Sequence, residues 1–553
     1  KPHLVRRYRR RGGRSHRFRS QRACITITHR RPGQPDVVRT TGFSYQMSGA
    51  TTGLLTEERL QPGGAANVAS AKAYQLDDYG NRLQATTCAG PATPCTTGGM
   101  LFQPTTATHI RRYARVAYDE RGRFPVATYE PFRSETGSIE ARTSYVAARD
   151  AFGEAIDVLD VNNVRSYAVK GILGRDYYAW QQTTPGGRPN NSGVRSLTTY
   201  RTCAQVNCPA GAAFRQQVEV TAGPRKWTYF DVLGRPVLQA GETANIGVSG
   251  KDVSAACTDY DTVGRPRRVS NPFFLAGTAG LDGPTGLAGV CSAVARQWTV
   301  TTYDVLGRPV LVQAPDSSQA SVGYAGLTTT KTDPRGKATT ETRNGLGEVV
   351  AVTDAAGLSV HYAFDAAGNI VSVSRNAGAG VIANTFVYDV LGRKVQQHDP
   401  DTGTTSFEYN ALGELTAQID ALGHRSEHAI DARGRIWRTT VKDFSGLTET
   451  ESSFTFDTSV MGSNTLGQLT RDTISGTYAG WSGQPDTALA FDREHYFDPL
   501  GRPVGGTVQL DSQVFGAALQ YDALGRPLRA MDASGQAVKT EYGPRGHALA
   551  LCA

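Results

Sequence analysis

The carboxylates with the most regular surroundings in this sequence are aspartates that begin a short Asp-x-x-Gly segment. Asp304 and Asp389 both stand in the string Tyr-Asp-Val-Leu-Gly-Arg, and Asp522 stands in Tyr-Asp-Ala-Leu-Gly-Arg. A pair of carboxylates held close together could act as general acid and base. However, an aspartate at the first position of a turn uses its side chain to bind the backbone two residues further on. We therefore predict a structural role for these aspartates and no catalytic one.

Other patterns that could support catalysis or ligand binding lack the surroundings that the chemistry requires. His424 and His428 are four residues apart, but they flank a glycine turn and a strand, where this spacing separates them by about 13 Å. Ser482 lacks the strand-turn-helix motif of a nucleophile. The glycine-rich segment Gly277–Gly289 lacks the Lys-Ser/Thr of a phosphate-binding loop. The sequence thus predicts no catalytic, metal or cofactor site, and we do not expect an enzyme.

The cysteines predict disulfides rather than a metal site. Six of the eight fall in pairs inside loops rich in Thr, Pro and Gly, and two lie near the ends: Cys88 and Cys95, Cys203 and Cys208, Cys257 and Cys291, and the remaining Cys24 and Cys552. Such spacing favours local disulfides and therefore an oxidising compartment. Free thiols in a cytosolic chain remain the alternative. Zinc would need Cys-x-x-Cys knuckles, which the sequence lacks.

An arginine follows the turn glycine in many copies of the repeated segment described below: Arg235, Arg265, Arg308, Arg393, Arg435, Arg502 and Arg526. A recurring arginine on a sheet could line an anionic or sugar-binding surface. It more commonly pairs with an acid on the next strand, and we favour that interpretation.

The net charge of +9 is concentrated at the N-terminus. Residues 1–39 carry a charge of +12, whereas the remainder of the chain carries −3. Because the stretch from Arg6 to Arg22 has no apolar periodicity, we predict a basic, disordered tail over residues 1–39. Such a tail could bind nucleic acid or an anionic membrane, but a vestigial end is favoured and no specific nucleic-acid partner is expected. The sequence contains neither a spanning apolar run of about 18–20 residues nor a signal peptide.

These residues are positioned by an internal repeat. The pattern aromatic–Asp/Asn–x–x–Gly occurs nine times, beginning at Tyr118, Phe230, Tyr260, Tyr303, Phe364, Tyr388, Tyr409, Phe497 and Tyr521. The glycines Gly336, Gly347, Gly357 and Gly368 follow one another at intervals of 11, 10 and 11 residues. One repeat is therefore about 21 residues long and consists of two half-units.

Each half-unit predicts a strand followed by a tight reversal. Asp or Asn at the first position and Gly at the fourth are typical of a type I turn that ends in a glycine bulge. The segments between turns are rich in β-branched residues, and in Asn369–Asn376 two valines alternate with serines, as in a strand. Proline follows Gly-Arg at the first residue of a strand, where its missing N–H does least harm: Pro236, Pro266, Pro309, Pro503 and Pro527. Because a lone hairpin is marginally stable, the units must stack into a continuous antiparallel sheet.

The repeated strings resemble the YD repeats of the Rhs family. The resemblance is carried by Tyr303–Val310 (YDVLGRPV), Tyr388–Val395 (YDVLGRKV), Tyr521–Leu528 (YDALGRPL) and the paired half-unit Asp420–Arg435. That family includes bacterial Rhs polymorphic toxins, the B and C components of toxin complexes, and the teneurin shell. It implies an all-β fold of stacked antiparallel β-hairpins that forms a spiral YD-repeat shell around a toxin or effector.

The resemblance and the repeats together predict the organisation of the chain. We expect a basic tail over residues 1–39, degenerate YD-type β repeats over 40–200, and a YD-repeat segment over 201–553 with a loop insertion at about 271–296. No match to the family's core segment with its aspartic autoprotease is found, and the last half-unit stops early. An incomplete, open shell truncated at the C-terminus is therefore expected.

The predicted function is structural. We expect a shell segment of a secreted or cell-surface protein that encloses or presents a cargo outside this sequence. Its partners would be the toxin or effector cargo, or other segments of the same shell. The alternative is a cell-surface adhesion module that binds carbohydrate. No cofactor and no transmembrane segment are expected.

Overall fold

The structure is a computed structural model of the 553-residue chain. It describes residues 5–8, 23–61, 63–90, 95, 111–134, 137–171, 174–187, 193–244, 251–275, 283–284, 286–293, 296–377, 380–458, 465–478, 487–510 and 513–552.

The described residues form 41 β-strands in one sheet, and no helix lies among them. The first twenty strands are β1 Val5–Tyr8, β2 Ala23–His29, β3 Val37–Tyr45, β4 Leu55–Leu60, β5 Ser70–Leu76, β6 Arg82–Ala89, β7 Arg111–Tyr118, β8 Pro125–Ser134, β9 Gly137–Arg149, β10 Ala155–Asp160, β11 Arg165–Lys170, β12 Asp176–Gln181, β13 Val194–Thr202, β14 Phe214–Val220, β15 Lys226–Phe230, β16 Pro236–Glu242, β17 Val253–Tyr260, β18 Pro266–Ser270, β19 Phe273–Leu275 and β20 Trp298–Tyr303. The others are β21 Pro309–Gln313, β22 Gln319–Ala325, β23 Thr328–Thr332, β24 Ala338–Arg343, β25 Val349–Thr353, β26 Ser359–Phe364, β27 Ile370–Ala377, β28 Gly380–Tyr388, β29 Lys394–Asp399, β30 Gly403–Tyr409, β31 Leu415–Ile419, β32 Arg425–Ile430, β33 Ile436–Lys442, β34 Thr448–Phe456, β35 Leu469–Tyr478, β36 Thr487–Phe497, β37 Pro503–Leu510, β38 Gln513–Tyr521, β39 Pro527–Met531, β40 Ala537–Tyr542 and β41 Ala548–Cys552.

Successive strands pair antiparallel, as the repeat predicted. Strand β20 pairs with β21, β21 with β22 and β22 with β23, and the ladder continues in this way. The register shifts by one residue between Thr302 and Tyr303, directly before the turn aspartate, which is the predicted bulge. The five prolines that follow Gly-Arg each occupy the first residue of a strand. The predicted all-β fold of stacked antiparallel strands is therefore confirmed.

The turns of an antiparallel ladder alternate between its two edges. From β20 onward, one edge carries the turns that an aromatic residue precedes, such as 304–307 after Tyr303. We call it the YD edge. The other, called the opposite edge, carries turns such as 314–318 and 333–336. Strands β18 and β19 form one strand interrupted at Asn271 and Pro272, so 231–234 and 261–264 also lie on the YD edge.

The chain divides into two compact units. Unit 1 comprises residues 1–154, 158–164 and 359–518, and unit 2 comprises 155–157, 165–358 and 519–553. Each unit thus combines stretches that are distant in the sequence. The predicted boundaries at residues 40 and 201 were drawn from charge and repeat spacing rather than from contacts, and they stay predictions.

The main apolar core of the described residues lies in unit 2. Trp227, Tyr229, Leu238 and Val253 from β15, β16 and β17 are almost completely buried. The predicted insertion at 271–296 supplies Leu275, Leu287 and Val290 to the same cluster. Leu287 and Val290 of the insertion therefore pack against the core residues of β15, β16 and β17.

The N-terminal segment differs from the predicted tail. Ala23–His29 pairs with Val37–Tyr45 and also with Val5–Tyr8, so residues 23–39 belong largely to the sheet. The reason is local: Ile25 and Ile27 alternate with Thr26 and Thr28, which is a strand pattern. Residues 9–22, which hold most of the arginines, lie outside the described residues.

Candidate functional site

The aspartate of each repeat closes its own turn, as the turn at residues 304–308 illustrates. Oδ1 of Asp304 accepts the backbone N–H groups of Leu306 and Arg308, both at 2.9 Å. The backbone N–H of Gly307 donates to the carbonyl of Asp304 at 3.0 Å, and Gly307 has a φ of 82°. The predicted structural role of the aspartate and the predicted turn geometry are both observed.

The arginine after the glycine pairs with the aspartate of the same turn. Nε of Arg308 donates to Oδ2 of Asp304 at 2.7 Å. The same pairing four residues apart recurs at Arg235, Arg265, Arg393, Arg435, Arg502 and Arg526. The prediction of pairing with an acid on the next strand is therefore wrong for this shared contact, because the turn places its first and fifth residues side by side. Arg435 in addition reaches Asp457, which directly follows the neighbouring strand β34.

Arginine and tyrosine connect consecutive repeats, which the sequence interpretation did not include. The guanidinium of Arg265 lies 4.5 Å from the ring centre of Tyr303, within the range of a cation–π contact. The hydroxyl of Tyr303 donates to the carbonyl of Pro266 at 2.8 Å. Similar pairs recur at Arg308 with Tyr324 and at Arg526 with Tyr542. The sequence signal is Gly-Arg-Pro followed by a tyrosine at the end of a later strand, which precedes Asp in the case of Tyr303 but Ala and Gly in the cases of Tyr324 and Tyr542.

Hydrogen bonds lower the pKa of several turn carboxyls. The backbone N–H of Arg308 is the main cause at Asp304. The hydroxyls of Ser445 and Ser534 are the main causes of the lowered pKa values of Asp443 and Asp532. These bonds favour the ionised carboxylate.

We expect the protein to lose stability in acid because of these turns. A carboxyl whose folded pKa lies below its unfolded value, about 3.9 for Asp, stabilises the fold above that value. The stabilisation disappears as the pH falls through the folded pKa. The urea midpoint should therefore be similar at pH 7 and about pH 5 and should fall below about pH 4.

A variant with Asp304→Asn, Asp443→Asn and Asp532→Asn provides the control, because Asn410 already fills this position in the chain and accepts the same backbone bonds. Its decline in acid should be shallower than that of the wild type. Equal midpoints of the wild type at pH 7 and pH 3 would contradict the role of the carboxylates.

Replacing Gly307 with valine should destabilise the fold by about 1–3 kcal/mol, since a β-branched residue is strained at a positive φ. Asp304→Ala should cause a smaller loss, because only turn hydrogen bonds disappear. Equilibrium urea unfolding measures both changes, and Val305→Ala at a fully exposed position should be neutral. A Gly307→Val protein as stable as wild type would refute the turn assignment.

The corresponding change at Gly392 should cost more than the change at Gly307. A Cβ at Gly392 would lie 2.9 Å from Nη2 of Arg39, whereas at Gly307 the nearest atom is 3.6 Å away. The two glycines stand in the same string Tyr-Asp-Val-Leu-Gly-Arg, so the local sequence alone would give them equal effects. If the two valine variants unfold at the same urea concentration, the contact with Arg39 does not contribute to the loss of stability.

In unit 1, turns of the YD edge contact residues 302 to 351 positions away in the sequence. Nε of Arg39 donates to the carbonyl of Val390 at 2.8 Å. Both Nη atoms of Arg112 contact the carboxylate of Glu414, with Nη2 at 2.9 Å from Oε2. Nη2 of Arg112 also donates to the carbonyl of Asp431 at 3.1 Å.

Unit 2 contains contacts of the same kind. The hydroxyl of Thr183 donates to the carbonyl of Ala523 at 2.7 Å, across 340 residues. Nη1 of Arg545 donates to the carbonyl of Thr243 at 2.8 Å. In both units, therefore, turns of the YD edge lie against loops of the opposite edge from an earlier stretch of the ladder.

A buried ion cluster lies beside one of these contacts. Nε of Arg435 donates to Asp431 at 2.7 Å, and its Nη1 and Nη2 reach the two oxygens of Asp457 at 3.1 and 2.5 Å. The side chains of Asp431 and Asp457 expose 1% and 0% of their surface. Burial lowers the pKa of Arg435, but hydrogen bonds with Asp457 and Asp431 outweigh it and raise the pKa overall.

The three predicted disulfides are present: Cys88–Cys95, Cys203–Cys208 and Cys257–Cys291. Cys24 and Cys552 are free and exposed. The third disulfide links the insertion to the middle of β17, where Cys257 belongs to the core cluster.

Among the residues that the structure describes, the other reactive side chains do not come together into a site. His424 lies beside Asp420, while the ring of His428 contacts the hydroxyl of Thr439. Ser482 lies outside the described residues. Within the described part of the chain, no group of three His, Cys, Asp or Glu is placed to hold a metal ion. No helix there is long and apolar enough to cross a membrane.

One cavity in unit 1 has a volume of about 320 Å³ and is lined in part by Asn67, Glu408, Tyr409, Arg425 and Glu427. The charges around it already pair with one another. Arg425 contacts Glu408 at 2.7 and 2.8 Å and Glu427 at 2.9 Å. The cavity therefore presents no uncompensated catalytic charge.

Comparisons with known proteins agree with the repeat. Residues 343–379 and 388–425 match the family model for the RHS Repeat. Double-stranded DNA deaminase toxin A of Burkholderia cenocepacia (strain H111) is 30% identical over 148 residues, which cover 26% of this chain and 10% of that toxin. Two solved structures are each 11% identical and cover 96% of this chain and 40% of their own: TcdB2-TccC3 (TM-score 0.47) and the Photorhabdus luminescens Tc holotoxin pore (TM-score 0.48).

Residues 343–379 and 388–425 are therefore RHS repeats, and this match confirms the resemblance to the Rhs/YD repeats that the sequence motifs predicted. The chain spans a tenth of the length of the curated toxin that it matches.

Proposed function

We propose that the chain is a wall segment of an Rhs-type shell and that it encloses or presents a toxin or effector that this sequence does not contain. The observation that carries the proposal is the set of contacts between turns about 300 residues apart within a unit. About 24 strands separate Arg112 from Glu414 along the ladder. A straight ladder would place these two residues roughly 100 Å apart. Their contact is expected if the sheet is a continuous wall in which distant stretches of the ladder lie side by side and are joined at their edges.

The use of the charged residues also supports a structural role. The recurring aspartates and arginines satisfy each other within their own turns. Arg112 and Glu414 join distant stretches of sheet. Charges that hold turns and edges together are not available for substrate chemistry.

The cargo and the location of the protein are parts of the same proposal. The curated relative is named as a toxin, which supports a toxin context for the cargo. Three disulfides support a secreted or cell-surface location, because disulfides persist in oxidising compartments.

Protease protection tests the wall. In the natural polypeptide that carries this chain, the cargo should be digested more slowly than the free cargo domain. Arg112→Glu should speed its digestion, because two acids would then face each other at the joint between stretches. The charge-exchanged variant with Arg112→Glu and Glu414→Arg is the matched control, and it should restore protection.

Digestion of the cargo at the rate of the free domain would refute enclosure. Specific binding of the chain to cell-surface glycans, without any protection of a cargo, would favour the adhesion alternative.

A further inference from the structure

Unit 2 presents a row of exposed apolar turn residues along its YD edge. Val232, Leu233, Val263, Val305 and Leu306 each expose 71–101% of their surface. They lie at the tips of three hairpins that neighbour each other, since β16 pairs with β17 and β18 pairs with β20. Neighbouring hairpin tips on one edge are about 10 Å apart, so these side chains form one patch. Contiguous exposed apolar residues of this kind mark interaction surfaces.

Equivalent turns elsewhere on the YD edge are covered by the protein itself. Ala411 and Ala432, which occupy the same turn position as Val232 and Val305, expose only 5% and 4% of their surface in unit 1. Within unit 2, the carbonyl of Ala523 in the corresponding position is bound by Thr183.

The covering surface is in each case the opposite edge of the ladder. It supplies side-chain donors to carbonyls of the YD-edge turns: Arg39 to Val390 and Thr183 to Ala523. In these two contacts the YD edge supplies the turn carbonyls and the opposite edge supplies the polar or cationic donors, and Arg545 of the YD edge adds a bond in the other direction, to the carbonyl of Thr243.

Unit 2 also has an exposed stretch of the opposite edge. The turns at 333–336 and 354–357 are exposed throughout, as is most of 314–318. The side chains of Arg335 and Lys337 lie there and offer the same type of donor that Arg39 provides in unit 1. Unit 2 thus exposes both halves of an interface that the chain already forms internally.

We propose that the YD-edge turns 231–234, 261–264 and 304–307 of one molecule bind the opposite-edge turns 314–318, 333–336 and 354–357 of a second copy of this chain. The contact joins different surfaces of the two molecules and is therefore heterologous. It buries the five apolar side chains and places Arg335 of one molecule against the turn carbonyls of the other.

Sedimentation velocity of the purified chain over about 1–100 µM tests the proposal. The wild type should associate as the concentration rises. Val305→Asp combined with Leu306→Asp should weaken association at least tenfold, because charge then replaces the centre of the apolar patch. Leu422→Asp is the matched control: Leu422 occupies the same position of an Asp-Ala-Leu-Gly turn in unit 1 and is 73% exposed, against 74% for Leu306. It should leave association unchanged.

Mixing two variants tests the heterologous geometry. The Val305→Asp/Leu306→Asp protein retains the opposite edge, and an Arg335→Glu protein retains the YD edge. Each should be monomeric alone, and the mixture should form a one-to-one dimer that grows no further. A wild type that stays monomeric throughout, undiminished association of the double variant, or a mixture that stays monomeric would overturn the proposal.

Discussion

Replacing Arg435 with alanine is expected to destabilise unit 1 by about 3–5 kcal/mol, which is the usual effect of removing one partner of a buried ion pair. The guanidinium is the shared partner of Asp431 and Asp457, whose carboxylates are almost fully buried. Without it, two buried negative charges would face each other with little access to water. The urea midpoint and the thermal midpoint at pH 7 measure the loss.

A variant that keeps the positive charge separates the charge effect from lost packing. Arg435→Lys retains a cation beside Asp431 and Asp457, so it should lose less stability than Arg435→Ala. Equal losses in the two variants would assign the loss to packing against Phe456, over which the guanidinium lies at 4.2 Å.

Arg308→Ala is the matched control for this prediction. Arg308 makes the same contact with Asp304 that Arg435 makes with Asp431. Its pair is more exposed, at 43% for the arginine and 19% for the aspartate. Exposed ion pairs contribute little to stability, so the loss should be several-fold smaller. Equal losses at both positions would show that burial does not decide the strength of these pairs.

Removing the disulfide between Cys257 and Cys291 with alanine substitutions is expected to lower the free energy of unfolding by about 3–4 kcal/mol. The two cysteines are 34 residues apart, so the disulfide restricts a long loop in the unfolded chain. It also holds Leu287 and Val290 against the core that contains Trp227 and Leu238. Urea unfolding measures the stability, and limited proteolysis within residues 271–296 measures the release of the insertion.

The disulfide between Cys203 and Cys208 provides the control, because its two cysteines are only 5 positions apart in the sequence and it therefore closes a short loop. Its removal should cost roughly 2 kcal/mol by the same relation and should leave residues 271–296 resistant to protease. If both double variants lose the same stability and neither exposes the insertion, the role of Cys291 as an anchor is wrong.

Local features were predictable because each depends on residues close together in the chain. The Asp-x-x-Gly spacing predicted the turns, and the proline positions predicted where strands begin. The cysteine spacing predicted all three disulfides. The contact that these arginines share was predicted incorrectly, because the turn itself brings Arg308 against Asp304.

The repeated motif by itself determined the strand order and the pairing of neighbours, since hydrogen bonds in a hairpin ladder join adjacent segments. It could not distinguish copies of the same turn. Tyr-Asp-Val-Leu-Gly-Arg at 303–308 and at 388–393 are identical in sequence, yet Val305 is fully exposed while the carbonyl of Val390 is bound by Arg39. Only the tertiary structure decided which turns are covered, which ion pair is buried and where the insertion packs. The covered turns meet residues about 300 positions away, and the insertion packs against Trp227, 60 positions before Leu287. No local pattern encodes which distant stretch will lie alongside.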